Sequence, residues 1–127
     1  MFKNTPAFSG FSIDDVDAAL KFYGDTLGLS VSKNEQGLDI TLGNGGKVFL
    51  YPKPNHVPAT FTVLNFVDDI DETVEELMQK GIMLENYDRG EMKADEKGIY
   101  RSQSSGMGPD IAWFKDPAGN ILSVIQK

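Results

Sequence analysis

The sequence predicts an α+β fold of two tandem modules, each a strand, a helix and two or three further strands, whose sheets meet to enclose a cleft. Three observations carry this. A five-residue pattern, Ile13-Asp14-Asp15-Val16-Asp17, returns fifty-four positions later as Val67-Asp68-Asp69-Ile70-Asp71. Each copy follows a strand-like run and precedes a segment with helical periodicity. After each helix the pattern turns to short β-like runs separated by turn residues. One helix covers only one face of a small sheet, so each module needs the other to cover its remaining face.

In chain order, Phe8 to Ile13 is the first strand, and Val16, Ala19, Leu20, Tyr23 and Leu27 then form one apolar helical face that closes at Gly28. Leu38 to Leu42 and Lys47 to Tyr51 are strands joined by the Gly43-Asn44-Gly45-Gly46 turn. The connector Pro52-Lys53-Pro54-Asn55-His56-Val57-Pro58 has three prolines in seven residues, which prevents regular structure. Phe61 to Val67 opens the second half, followed by a helix with Ile70, Val74, Leu77 and Met78 on one face, ending near Gly81. Ile99 to Gln103, Asp110 to Phe114 and Asn120 to Ile125 complete it, with Asp116-Pro117-Ala118-Gly119 as the matching hairpin turn. The 127 residues thus read as one domain of two repeats, about 6–54 and 59–126.

Several chemistries are excluded by composition. There is no cysteine, which removes disulfides, thiolate metal sites and cysteine nucleophiles together. Twelve Lys and Arg against nineteen Asp and Glu give a formal charge of −7, which argues against nucleic acid and favours a neutral or cationic partner. No run has the length of a signal-peptide core or a membrane span, so a cytoplasmic protein is expected. The repeated aspartates sit where a carboxylate accepts hydrogen bonds from a helix's first turn, and Asp69 with Glu72 has capping-box spacing. They lack the glycine and glutamate of a calcium loop. The glycine cluster at Gly43 to Gly46 opens no helix and has no following Lys-Ser or Lys-Thr, so it is not a phosphate loop.

Taken in order, the two Asp-Asp-hydrophobic-Asp copies, Phe22-Tyr23, Leu27-Gly28 and Phe114-Lys115-Asp116-Pro117-Ala118-Gly119-Asn120 resemble the vicinal oxygen chelate superfamily. This group includes glyoxalases, extradiol dioxygenases, fosfomycin-resistance enzymes and bleomycin-resistance binding proteins. The resemblance implies paired βαβββ modules forming a cleft between curved mixed sheets, with helices outside, and a homodimer as the expected assembly. The modules pair within one chain or across the dimer. In metal-using members the ligands are His or Glu at four cleft positions. Here those positions read Phe8, Leu50, Thr62 and Ser123, located by counting from the repeat and from the hairpin glycines. Two have no donor atom and two are neutral hydroxyls, so no metal and no other cofactor is expected, whereas stacking and hydrogen bonding to an organic molecule are.

Strand alternation extends the cleft list to Gly10 and Ser12 beside Phe8, to Leu64 and Phe66 beside Thr62, and to Val48 and Ile121 beside Leu50 and Ser123. Of the adjacent Trp113 and Phe114, one faces the cleft and the other the helix. The stretch from Glu85 to Pro109 supplies Tyr100, Arg101 and Met107 as contacts for a lid, or else is a solvated loop. His56, the only histidine, reads as an exposed connector residue. The expected function is metal-free binding of a small organic molecule, aromatic or cationic and of drug or toxin type. The alternatives are a lyase, isomerase or dioxygenase-like enzyme with a non-standard site, and a purely regulatory or interaction module.

Overall fold

The computed structural model describes residues 1–59, 62–87 and 93–126, with the backbone alone for residues 62–66. The chain divides into two compact units, Met1–Ala59 and Thr60–Lys127. The first contains β1 (Ser9–Ile13), α1 (Val16–Leu20) continued by a π-helical turn over Lys21–Thr26, β2 (Ser30–Asn34), β3 (Gly37–Thr41) and β4 (Lys47–Pro52). The second contains β5 (Thr62–Val67), α2 (Ile70–Gln79), β6 (Leu84–Glu85), β7 (Ile111–Lys115) and β8 (Ile121–Gln126). The strand orders are β1-β4-β3-β2 and β5-β8-β7-β6. In each sheet the first strand pairs parallel with the last, and the remaining neighbours are antiparallel. Each unit is therefore a βαβββ module.

The repeated motif does the same work twice. Asp15 accepts from the Ala18 N–H and Asp69 from the Glu72 N–H, both at 3.0 Å, so each aspartate caps its helix as the sequence predicts. Both helices end at a glycine with positive φ, 70° at Gly28 and 82° at Gly81, a conformation that side chains with a Cβ resist. The hairpins close where expected. The Leu42 N–H donates to Gly46 O at 2.8 Å, and the buried Asp116 carboxylate accepts from both the backbone N–H and the side-chain amide of Asn120.

In the first unit one sheet face is sealed by the helix. Phe11, Ile13, Leu38, Ile40, Val48 and Leu50 are buried there with Ala19 and Tyr23, and the Phe11 and Tyr23 rings lie 6.3 Å apart. In the second unit Ala112, Phe114, Leu122 and Val124 are buried with Ile70, Val74 and Leu77 of α2. Gln126, on the same face as Leu122 and Val124, accepts from the Ile70 N–H at 3.0 Å.

Two strands differ from expectation. β2 and β6 are edge strands too polar or too short to carry an alternating signal. The strand expected over Ile99 to Gln103 reduces to one bridge, Tyr100 to Ile111. Local side chains compete with the ladder there: the Asp95 carboxylate accepts from the Lys97 and Ile99 N–H groups, and Asp110 from the Gln103 N–H.

Arg101 belongs to this same cluster. Its guanidinium makes two bonds to Asp71, at 2.7 and 2.9 Å, and one to Asp95 at 2.9 Å, with Asp110 3.5 Å away. The expectation of a cationic lid contact is therefore corrected, because these carboxylates clamp the side chain to the first turn of α2. Hydrogen bonds from Arg101 and then Lys97 hold the Asp71 carboxyl well below the usual range. Burial works to raise the Asp95 carboxyl, but bonds from Ile99, Arg101 and Lys97 outweigh it and keep it low. Bonding to Asp71 raises Arg101 further, and bonding to Glu75 and then Asp71 raises Lys97. A depressed carboxyl contributes stability that is present above its unfolded value near 4 and is lost as pH falls toward the folded value. Asp71→Asn should accordingly lower the midpoint of urea unfolding at pH 7, and the gap to the unaltered chain should start to narrow below about pH 4 and go on narrowing as the pH falls further, as read by circular dichroism. A gap that stays equal as the pH falls would show that this carboxylate's charge is irrelevant to folding.

Candidate functional site

Of the residues singled out from the sequence, Gly10 and Ser12 lie on the helix-free face of the first sheet and Trp113, Ile121 and Ser123 on that of the second, and each sheet is described by itself. On the first, register places Gly10 and Asp39 on either side of Phe49, and Ser12 beside Tyr51. The Phe49 and Tyr51 rings stack at 5.8 Å with an interplanar angle of 28°. A Cβ on Gly10 would come within 2.9 Å of the Phe49 carbonyl oxygen, so glycine lets β1 lie close against β4. Phe8, just before β1 and 70% exposed, lines a pocket of about 230 Å³ with Asn34, Gln36, Asp39, Lys47 and Phe49. Asn34 donates to Asp39 at 2.8 Å across its mouth. The result is an aromatic shelf with amide, carboxylate and ammonium groups at one end.

Ser12 has a partner that the sequence reading did not assign. Its Oγ lies 2.7 Å from His56 Nδ1. The connector brings the imidazole back: the Lys53 N–H donates to Ile13 O and the His56 N–H to Lys53 O, both at 3.1 Å. His56 is half-buried, and the expectation of an exposed connector residue is corrected. Spacing gives no hint of this, because Ser12 and His56 are 44 positions apart.

Leu50 is also corrected. It pairs with Phe11 and Leu38 on the helix-covered face and is fully buried, as is most of Val48 beside it. Counting from Gly46 misplaces it because the counterpart of Gly119 is Gly45: the two hairpins are equally long, Thr41 opposing Lys47 as Lys115 opposes Ile121, and Gly45 and Gly119 share a positive φ, 84° and 81°. Asp39 opposes Phe49 as Trp113 opposes Ser123, so Phe49 is the true counterpart of Ser123. The signal that finds Phe49 is alternation: Val48 and Leu50 match the apolar Phe11 and Ile13, which leaves Phe49 and Tyr51 on the other face.

On the second sheet, Ile111, Trp113, Ile121, Ser123 and Ile125 share the helix-free face, and Phe114 is the one buried toward α2. Tyr100 packs against Trp113 with ring centroids 4.6 Å apart, and Tyr87 adds a second edge contact at 5.9 Å. The Tyr100 hydroxyl donates to Tyr87 O at 3.0 Å and accepts from the Tyr87 N–H. Tyr100 is thus a buried wall residue. Ser123 is 1% exposed, and its Oγ meets no hydrogen-bond partner among the described residues. Thr62 pairs with Leu122 and Phe66 with Ile125 across a register irregularity between Val63 and Asn65, while their side chains lie outside the described residues. The lid expectation falls partly outside them too, at 88–92; of the rest, residues 100–107 form a turn bonded to itself, with Met107 exposed.

The donor chemistry does not fit a divalent metal. Phe8 and Phe49 offer no lone pair and Ser123 one neutral hydroxyl, whereas such a site needs about three imidazole, carboxylate or thiolate ligands. Among the described residues, no three His, Cys, Asp or Glu side chains gather in a metal-holding group. No described helix is long and apolar enough to cross a membrane.

Residues 9–124 match the model of the Glyoxalase/Bleomycin resistance protein/Dioxygenase superfamily, and the chain belongs to that superfamily. The uncharacterized protein YraH of Bacillus subtilis is 25% identical over 130 residues, covering 88% of this chain and 90% of that one. Among solved structures, lactoylglutathione lyase from Agrobacterium tumefaciens aligns with a TM-score of 0.67 and 20% identity over 98% of this chain and 95% of that one. TnmS3, an antibiotic binding protein from Streptomyces sp. CB03234, aligns with a TM-score of 0.63 and 20% identity over 97% of each chain. At these identities the structural likeness establishes the fold and leaves the chemistry to the residues.

A buried hydroxyl without a partner destabilises the protein that contains it. Ser123→Ala should therefore leave the unfolding free energy unchanged or raise it by up to about 1 kcal/mol, measured in urea on the ligand-free protein. A loss of more than about 1 kcal/mol would show that the hydroxyl is already satisfied.

Proposed function

We propose that this protein binds a small organic molecule containing an aromatic ring, of the drug or toxin kind, through direct contacts and without a metal ion. The observation that carries the proposal is the occupancy of the superfamily's ligand positions: Phe8 and Phe49 on the first sheet and Ser123 on the second. Phenyl rings stack and a hydroxyl hydrogen-bonds, but neither polarises a carbonyl as a Lewis acid does. Phe8, Phe49 and Tyr51 supply an aromatic surface for a planar ligand, with Asp39 and Lys47 beside it. The net charge of −7 favours a cationic ligand. The likeness to an antibiotic binding protein is in keeping with this reading, whereas the lyase among the similar structures is named for a catalytic activity. A cytoplasmic homodimer is part of the proposal. A second reading, an enzyme with a non-standard site, is favoured by the Ser12 and His56 contact alone.

Trp113 is the single tryptophan, so its fluorescence reports on the second sheet directly. In a titration with planar cationic aromatic drugs, added chelator should leave the affinity unchanged. Phe49→Ala should weaken binding about tenfold, the equivalent of roughly 1.4 kcal/mol. Affinity that disappears with chelator, or that survives Phe49→Ala intact, would refute the proposal.

A further inference from the structure

We infer that Ser12 is an activated nucleophile with His56 as its base, and that the helix-free face of the first sheet accepts activated aryl esters. Three observations and one choice of tautomer support the assignment. The Oγ to Nδ1 distance of 2.7 Å is within the reach a nucleophile needs from its base. In the Nε2-protonated tautomer, Nδ1 accepts from the serine hydroxyl, which is the direction of proton transfer that makes an alkoxide. The base is held on a short leash, since Lys53 is bonded to Ile13, the residue next to Ser12, and His56 is bonded to Lys53, within a connector stiffened by Pro52, Pro54 and Pro58. The neighbouring strand places Tyr51 beside Ser12, stacked on Phe49, which gives an aryl leaving group a surface to lie on.

The step balances without any further reactant. Ser12 Oγ bonds to the acyl carbon while its proton passes to His56 Nδ1; the bond from that carbon to the aryl oxygen breaks, and the imidazolium protonates the departing phenol. Water, deprotonated by the same nitrogen, then attacks the acyl carbon; the bond from that carbon to Ser12 Oγ breaks, the imidazolium returns its proton to Oγ, and a carboxylic acid leaves.

The test uses p-nitrophenyl acetate with the full chain. Peptide mass spectrometry should find the acetyl group on Ser12, and p-nitrophenolate release should fall at least about tenfold in both Ser12→Ala and His56→Gln. Glutamine can accept the serine hydrogen bond but not its proton at neutral pH, so His56→Gln separates a base from a structural tie. Acetyl groups confined to lysines and the N-terminus of the unaltered chain would overturn the inference, as would undiminished Ser12 labelling in His56→Gln. An unlabelled Ser12 in protein whose Trp113 fluorescence still responds to an aromatic drug would remove this inference and leave the binding proposal standing.

Discussion

The parallel pairing of β1 with β4 decides where every other side chain of the first unit points. With Phe11 opposite Leu50, both belong to the helix-covered face, and strand alternation then sends Gly10, Ser12, Phe49 and Tyr51 to the other. The crossover helix makes the pairing possible, because parallel strands cannot be joined by a tight turn. Its cap at Asp15 and its closure at Gly28 fix where the helix begins and ends. A slip of one residue would bring Phe49 and Tyr51 under the helix and expose Leu50, with a cost set by the lost apolar burial. The same pairing in the second unit, β5 with β8, puts Ser123 and Trp113 on the face away from α2.

Charge is arranged for a different purpose from the one its position in the sequence suggests. The second unit uses Arg101 and Lys97 to neutralise Asp71, Asp95 and Glu75 around the start of α2, which ties an irregular segment to a helix that also needs acidic residues in its first turn. The proposed binding surface on the first unit is assembled mainly from aromatic rings and amides, with the Asp39 carboxylate and the Lys47 ammonium at one end. Charge repulsion elsewhere on an acidic chain does not disturb such contacts, which are short-ranged and largely uncharged.

The sequence disclosed the modules because repetition and periodicity are local signals: the twin Asp-Asp-hydrophobic-Asp motifs, the two apolar stripes and the two hairpins each lie within a dozen residues. The sheet positions of Ser12 and Ser123 are legible for the same reason, since each is at a fixed offset from one of those signals. Leu50 is misplaced because the turn offers two adjacent glycines, Gly45 and Gly46, and counting from the wrong one shifts the register by one residue and inverts the face, which comparison with the partner strand corrects. Arg101 and His56 depend on contacts across 30 and 44 positions, and neither partner can be read from spacing. The polar β2 and the two-residue β6 are held by their neighbours in the sheet rather than by their own propensity.

The proposed organic ligand rests on aromatic rings, Phe8 and Phe49, in place of metal-ligating side chains. Native mass spectrometry of the protein purified from the cells that produce it, without added metal, tests this in one spectrum. The account predicts a chain carrying an organic adduct and no divalent ion. One zinc, nickel, iron or manganese per chain, retained through purification, would contradict it.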